Sequence, residues 1–229
     1  MHINADFSEP AFERTSCMDW VPSPTAGVER RMLDRVGGEV ARATSIVRYA
    51  PGSRFPSHTH GGGEEILVLE GVFSDEHGVY PAGSYLRNPP GSAHAPASED
   101  GCVLFVKLWQ FVSDDTSRVV IDTGAAEWRP TGLSGVERLP LHAHGTERVA
   151  LYRLEPGADI PEHDHDGGEE VLVLDGSLRA GERDHGAGDW LRFPDGSRHA
   201  VSSATGARLY VKSGHLPPEI PAGLPPADR

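Results

Sequence analysis

Two histidines separated by a single residue, His58 and His60, are the first candidates for chemistry in this sequence. On an extended strand, side chains at positions i and i+2 project from the same face, so both imidazoles can reach one ion. Glu64 follows after a run of glycines, whose backbone freedom would let the carboxylate turn back towards the histidines. His94, which follows a turn rich in proline and glycine, would approach from a different strand. Three neutral nitrogen donors and one carboxylate oxygen predict a site for a divalent metal ion.

The same set of residues recurs in the second half of the chain. Gly52–His94 aligns without a gap on Gly157–His199, and the alignment gives a second quartet: His163, His165, Glu169 and His199. An isolated His-x-His pair is usually a surface pair, but a four-residue set repeated at identical spacing rarely arises by chance. We therefore expect one metal ion in each copy of the repeat.

The donor types restrict which metal fits. Imidazole and carboxylate suit Zn, Fe, Mn or Ni in the divalent state and do not suit soft copper(I). Around an octahedral ion, four protein ligands leave positions open for water, dioxygen or a chelating substrate. A four-coordinate zinc ion would instead be closed and structural.

The elements that must position these side chains are short strands. Apolar runs of strand length, such as 43–50, 66–69, 102–109 and 171–174, alternate with turns rich in glycine and proline. The chain has 27 Gly and 19 Pro, and no segment predicts a helix longer than a turn or two. The repeat and the even spacing of strands predict an all-β protein made of two tandem barrels related by internal duplication.

The bulk composition excludes some partners. A formal net charge of −13 repels nucleic acid and anionic lipid, and no stretch is apolar for long enough to span a membrane. Two cysteines cannot form a disulfide framework, and the N-terminus has no signal-peptide pattern, so we expect a cytoplasmic protein. A small-molecule ligand or substrate is the expected partner, and a homo-oligomer is left open.

The two quartets lie within motifs that resemble those of the cupins. The first copy has Gly52-x5-His58-x-His60-x3-Glu64-x6-Gly71 followed by Gly83-x5-Pro89-x-Gly91-x2-His94, and the second copy repeats both motifs from Gly157 to His199. The segments Asp75-Glu76-His77-Gly78-x-Tyr80 and Arg87-Asn88-Pro89-Pro90-Gly91-Ser92 resemble more narrowly the ChrR-type cupins, the family of the C-terminal domain of ChrR anti-sigma factors. The resemblance implies a jelly-roll β-barrel with a metal at the four ligands of each copy. The expected layout is an N-terminal cupin at 1–112, a linker at 113–123, a C-terminal cupin at 124–216 and a proline-rich tail at 217–229.

Two functions are compatible with this resemblance. The first is a metalloenzyme, such as a mononuclear non-haem dioxygenase that acts on a dicarbonyl or hydroxy-ketone. The second is a non-catalytic sensor or regulatory module with bound zinc. Sigma-factor binding is not expected, because the chain has no His-x3-Cys-x2-Cys signature of the helical zinc domain that accompanies the cupin in anti-sigma factors.

Glu65 and Arg87 are candidates for an accessory catalytic role. Strand alternation directs Glu65 away from the metal face, so it is either a base acting behind the ligands or a salt-bridge partner, and the salt bridge is favoured. Arg87 could hold a substrate carboxylate through two hydrogen bonds, but structural pairing with an acidic residue is an equal alternative. The second copy departs from the first at two points: the loop Asp75–Tyr80 is replaced by Ala180–His185, and Cys102 is replaced by Ala207.

Overall fold

The computed structural model describes residues 1–216, and its regular structure is almost entirely β-strand. A 3-10 turn at Thr15–Cys17 is the one helical element within this range. The strands before residue 123 are β1 His2–Ile3, β2 Ala11–Arg14, β3 Val21–Pro22, β4 Val28–Gly37, β5 Ala41–Tyr49, β6 Ser53–Arg54, β7 His58–Thr59, β8 Glu64–Asp75, β9 Gly78–Pro81, β10 Ser84–Asn88, β11 Ala93–His94, β12 Ala97–Ser98, β13 Cys102–Leu108 and β14 Val119–Asp122. The remaining strands are β15 Arg129–Pro130, β16 Val136–His144, β17 Glu147–Leu154, β18 Ala158–His165, β19 Glu169–Ala180, β20 Arg183–Gly186, β21 Asp189–Phe193, β22 Ser197–Ser203 and β23 Ala207–Ser213.

The first compact unit is a barrel of two antiparallel sheets. The larger sheet has the strand order β1-β4-β5-β13-β8-β10-β14. Strand β8 belongs to both sides of the barrel, because its first half pairs with β10 and β13 and its second half pairs with β9 and β12. Inward-facing apolar side chains from both sides form one core. This core contains Val28, Tyr49, Ile66, Val68, Phe73, Tyr80, Leu86, Cys102, Leu104 and Val106.

Gly71 is the residue that lets β8 change sides. Its φ is +71°, and a Cβ there would lie 2.1 Å from the carbonyl oxygen of Gly101, so no larger residue fits without moving the backbone. The register of β8 against β13 shifts at Val103/Leu104, next to this point. Gly176 repeats the arrangement in the second copy, where a Cβ would lie 2.0 Å from the oxygen of Gly206.

The second compact unit has the same architecture. Its larger sheet has the order β15-β16-β17-β23-β19-β21-β2, and β18 and β22 pair on the other side. Its core is again built from inward-facing residues: Val136, Leu154, Ala158, Val171, Val173, Leu178, Ala180, Leu191, Phe193, Val201, Ala207 and Leu209. The prediction of an all-β protein with two tandem jelly-roll barrels is confirmed.

Within residues 1–216, neither compact unit is one continuous stretch of the chain. Asp6–Cys17 belongs to the second unit, where β2 completes the sheet beside β21. By the equivalent pairing, Val119–Asp122, which the sequence placed in a linker, completes the first sheet beside β10. Thr15 Oγ1 and Thr123 Oγ1 then make the same hydrogen bond in each unit, to the carbonyl oxygens of Gly188 and Gly83, both at 2.6 Å. The segment that precedes each copy along the chain therefore forms the edge strand of the other unit's sheet.

The limits 112 and 124 stay a prediction, and the predicted proline-rich tail at 217–229 lies outside the described residues. Within residues 1–216, no helix is long and apolar enough to cross a membrane.

Candidate metal centres

The first quartet converges at one end of the first barrel. Strands β7 and β11 pair so that His94 lies directly opposite His58, and Glu64 opens β8. One side-chain atom from each of the four residues lies within 4.8 Å of all the others. Glu64 Oε2 is 3.3 Å from Nε2 of His60 and 3.3 Å from Nε2 of His94. The structure therefore brings together all four residues that the sequence nominated for this copy.

Each histidine of the first quartet is held through its outer nitrogen. His58 Nδ1 lies 3.0 Å from the carbonyl oxygen of Pro56, which can only accept, so Nδ1 carries the proton. His94 Nδ1 lies 3.1 Å from Asp75 Oδ2, which fixes the same tautomer. These bonds leave Nε2 with a free lone pair, as a metal ligand requires.

His60 reaches the same tautomer through a hydroxyl. Its Nδ1 lies 3.0 Å from Ser92 Oγ, and Ser92 Oγ donates its only proton to the carbonyl oxygen of Pro89 at 2.6 Å. Ser92 must therefore accept from His60 Nδ1–H. In all three histidines of the first quartet Nδ1 makes the outer hydrogen bond, and Nε2 of His60 and of His94 faces Glu64.

Two residues that the sequence did not nominate complete this support. Asp75 Oδ1 accepts hydrogen bonds from the backbone nitrogens of His77 and Gly78, at 2.8 and 3.0 Å, and from the hydroxyl of Tyr80 at 3.1 Å. This leaves Oδ2 directed at His94. Asn88 Nδ2 donates to Glu64 Oε2 at 3.2 Å and so orients the carboxylate. The sequence signal for Asp75 was its place in the family motif and its loss in the second copy.

The electrostatics of the first quartet fit a cation. Burial and the neighbouring imidazoles lower the pKa of His60 to about 3, so the ring is neutral. Burial raises the pKa of Glu64 to about 7, although the hydrogen bond from Asn88 opposes the shift. Nε2 of His60 and of His94 are buried and make no hydrogen bond within residues 1–216. A divalent cation would satisfy these lone pairs and the carboxylate together, so the residues fit a metal.

The second quartet also converges, with one atom from each residue within 4.8 Å of the others. His163 pairs opposite His199, and His163 Nδ1 lies 2.9 Å from the carbonyl oxygen of Pro161, as in the first copy. His165 Nε2 and His199 Nε2 are 3.1 Å apart. Burial lowers the pKa of His165 to about 4 and that of His199 to about 3, and it raises the pKa of Glu169 to about 8. The second cluster also fits metal binding.

The second quartet lacks most of the outer support. Ala180 stands where the first copy has Asp75, and His199 Nδ1 is buried with no hydrogen-bond partner among the described residues. Phe193 stands in the place of Asn88, and its ring lies 4.1 Å from that of His199. Ser197 Oγ donates to the carbonyl oxygen of Pro194, but His165 bonds His199 instead of this hydroxyl. Two of the three imidazoles are thus left without the outer hydrogen bonds that preorganise a ligand.

Each quartet opens on a cavity inside its own barrel. The first cavity has a volume of about 600 Å³. Its wall is mostly apolar and includes Val28, Tyr49, Phe55, Ile66, Leu104 and Val106. The second cavity has a volume of about 540 Å³ and includes Arg129, Arg138 and Tyr152 in its wall. Both are large enough for a small organic molecule beside the quartet.

Glu65 and Arg87, the candidates for an accessory catalytic role, lie outside the wall of the first cavity. Arg87 is fully buried, with Nη1 2.7 Å from Glu65 Oε2 and Nη2 2.6 Å from Asp115 Oδ2. Its guanidinium also lies 4.0 Å from the ring centre of Phe111. The salt bridge, one of the two alternatives for each residue, is present in the structure.

The sequence profile of the ChrR cupin-like domain matches residues 8–112 and again residues 116–217. The chain belongs to the ChrR cupin-like family and carries the domain twice. Among curated proteins, none matches this chain.

Solved structures of other cupin proteins share the fold. A proposed dioxygenase from Nostoc punctiforme superposes with a TM-score of 0.76 at 16% identity, over 91% of this chain and 84% of that one. A proposed glyoxylate-induced protein from Pseudomonas aeruginosa gives a TM-score of 0.72 at 17% identity, over 93% and 91% of the two chains. A deletion mutant of the oxalate decarboxylase of Bacillus subtilis gives 0.63 at 15% identity, over 89% and 76%. At these identities the likeness establishes the fold alone.

Proposed function

We propose that this protein is a metal-dependent enzyme whose reaction centre is the first barrel, and that it acts on a small dicarbonyl or hydroxy-ketone as a mononuclear dioxygenase does. Each barrel would hold one divalent ion, of Zn, Fe, Mn or Ni, through its three histidines and its glutamate. The substrate would be a small molecule and not a nucleic acid, consistent with the net charge of −13.

The observation that carries this proposal is the preorganised first quartet beside an apolar cavity. Three imidazoles make outer hydrogen bonds through Nδ1, and the inner nitrogens of His60 and His94 meet the Glu64 carboxylate. A site designed only to hold a structural ion does not need an adjoining cavity of about 600 Å³.

A bound divalent ion would supply Lewis acidity and, if redox-active, access to dioxygen chemistry. The chain itself supplies position and environment. Asp75, Ser92 and Asn88 hold the ligands in place, and apolar walls exclude water around the reacting carbon atoms. For Glu65 and Arg87 the proposed role is positioning, because their buried ion pair joins β8, which begins with Glu64, to β10.

Metal content and oxygen uptake test the proposal together. Freshly purified protein is analysed for bound metals, and oxygen consumption is followed with pentane-2,4-dione and with a 2-hydroxyaryl ketone. We expect turnover in the wild type and in His165→Ala, and none in His60→Ala. Turnover that survives His60→Ala but is lost in His165→Ala would move the reaction centre to the second barrel, and turnover in neither the wild type nor any variant would refute the enzyme.

Family membership favours one alternative function, a regulatory or sensor module related to the ChrR cupin-like domain. In that case both ions would be zinc with a structural role, and a ligand or partner protein would occupy the cavity. Zinc in a fixed ratio to protein, with no oxygen uptake on either class of ketone, would support this function over the enzyme.

A further inference from the structure

The mouth of the first cavity carries an arginine that the metal site does not use. Arg30 lies on β4 two residues after Val28, and since strand residues at i and i+2 share a face, both point into the barrel. Val28 is in the core, and Arg30 lines the same cavity as His58, His60 and Glu64. A cation and residues of the first quartet therefore face one cavity.

The guanidinium of Arg30 makes one long ion-pair contact within the described residues. Its side chain is 18% exposed, and its Nε is buried with no hydrogen-bond partner in residues 1–216. Nη1 is 3.4 Å from Oε2 of Glu39, a long contact to a side chain that is 67% exposed. A guanidinium usually binds a carboxylate through two short bonds, so this geometry leaves most of its donors available.

The turn that carries Glu39 is fixed by a second arginine. The guanidinium of Arg35 donates to the carbonyl oxygen of Gly38 from Nε at 3.0 Å and also from Nη2, and it donates to that of Glu39 at 3.1 Å. Arg35 is buried, and the positive charge of Arg30 contributes to lowering the pKa of Arg35. The bonds from Arg35 go to backbone oxygens, so the carboxylate of Glu39 is left to contact Arg30.

We propose that Arg30 binds an anionic group of the substrate, and that Glu39 occupies this position when the cavity is empty. The inference rests on the proposed function and narrows it: the substrate is a dicarbonyl or hydroxy-ketone that also carries a carboxylate. The chelating oxygens would face the quartet while the carboxylate replaces Glu39 on Arg30. The second cavity differs, because Arg138, at the equivalent position, is exposed and its hydrogen bond goes to Tyr152.

Equilibrium binding to the metal-loaded protein tests this independently of turnover. Two probes are titrated by calorimetry: 2,4-dioxopentanoate, which carries a carboxylate, and pentane-2,4-dione, which is neutral. In Arg30→Met we expect the affinity for 2,4-dioxopentanoate to fall by at least tenfold and that for pentane-2,4-dione to stay within twofold. Glu39→Gln should strengthen 2,4-dioxopentanoate binding, because it removes the competing carboxylate.

Arg31→Met is the matched control. It removes the same charge from the adjacent residue, whose guanidinium stacks on Trp20 at 4.2 Å, and it should leave both affinities unchanged. Equal losses for both probes in Arg30→Met, or an equal loss in Arg31→Met, would overturn the assignment. If Arg30→Met weakens only 2,4-dioxopentanoate binding and the wild type consumes no oxygen, Arg30 is the anion site and the dioxygenase is rejected. If the wild type and Arg30→Met consume oxygen equally with 2,4-dioxopentanoate, the dioxygenase stands and the anion site is rejected.

Discussion

Replacing Asp75 with Asn should convert the first metal site into one as weak as the second. Asp75 Oδ1 already accepts three hydrogen bonds, from two backbone nitrogens and the Tyr80 hydroxyl. In the variant, the amide oxygen must keep that position, which turns the amide nitrogen towards His94 Nδ1. Two N–H groups cannot face each other, so His94 moves its proton to Nε2 and loses the lone pair that would bind the ion.

The size of the effect follows from the type of contact that is lost. Removal of an outer partner from a metal-bound histidine typically costs about 10- to 100-fold in affinity, which corresponds to about 1.4–2.7 kcal/mol. The substitution keeps the volume of the side chain and the bonds that hold the loop, so the fold should be retained. The second barrel has Ala180 at this position and supplies an internal reference.

The assay is competition for zinc against a chromophoric chelator, fitted to two sites per chain. The wild type should show one tight and one weaker site, and Asp75→Asn should weaken only the tight site. Circular dichroism and the melting temperature of the metal-free proteins serve as the folding control. An unchanged tight site in a folded Asp75→Asn protein would refute the argument that this hydrogen bond prepares His94 as a ligand.

The remaining predictions concern the same two quartets and their surroundings. Ser92→Ala should weaken zinc binding at the tight site by about fivefold, the value of one neutral hydrogen bond. In the same competition assay, Ser197→Ala should leave zinc affinity unchanged, because Ser197 makes no hydrogen bond to His165. Equal effects of the two substitutions would contradict the difference in histidine support between the barrels. Because the pKa of Glu64 is raised to about 7, its carboxyl is protonated in the metal-free protein below that pH and ionised above it. The tight binding step should therefore release more protons at about pH 5.5 than at about pH 8.5, with the Glu64 proton contributing to the difference, measured by calorimetry in buffers of different ionisation enthalpy; a release that does not vary with pH would contradict the raised pKa. Arg87→Met leaves buried carboxylates without their cation and should lower the free energy of unfolding by about 3–5 kcal/mol, measured by urea denaturation of the metal-free protein; a loss under 1 kcal/mol would show that the ion pair is not structural.

The convergence of each quartet could be predicted from the sequence because the spacing of its residues follows from strand geometry. His58 and His60 share a face by alternation, and the identical set in the second copy separated the signal from chance. Alternation also indicated that Glu65 turns away from the metal, and the structure pairs it with Arg87.

The outer hydrogen bonds that hold His60 and His94 could not be predicted, because they join positions that are distant in the sequence and because the second copy does not repeat these bonds. Asp75 bonds His94 from another strand, and the second copy has no counterpart of this bond. The internal alignment marks Asp75 as a difference between the copies, but it does not show which side chain Asp75 contacts.

The edge strands were missed for a related reason. Ala11–Arg14 and Val119–Asp122 are each four residues long, and which sheet a short strand completes is decided by tertiary packing. Their equivalent pairings beside β21 and β10 become visible only in the coordinates.

Both quartets are expected to bind metal, and the first is better prepared for it because its histidines have outer hydrogen-bond partners. Anomalous X-ray scattering from crystals grown with less than one equivalent of zinc per site tests it most directly. We predict a strong peak in the first barrel about 2.0–2.2 Å from Nε2 of His58, His60 and His94 and from a Glu64 oxygen, with a weaker peak in the second barrel. No peak within either quartet, or a stronger peak in the second barrel, would contradict the account.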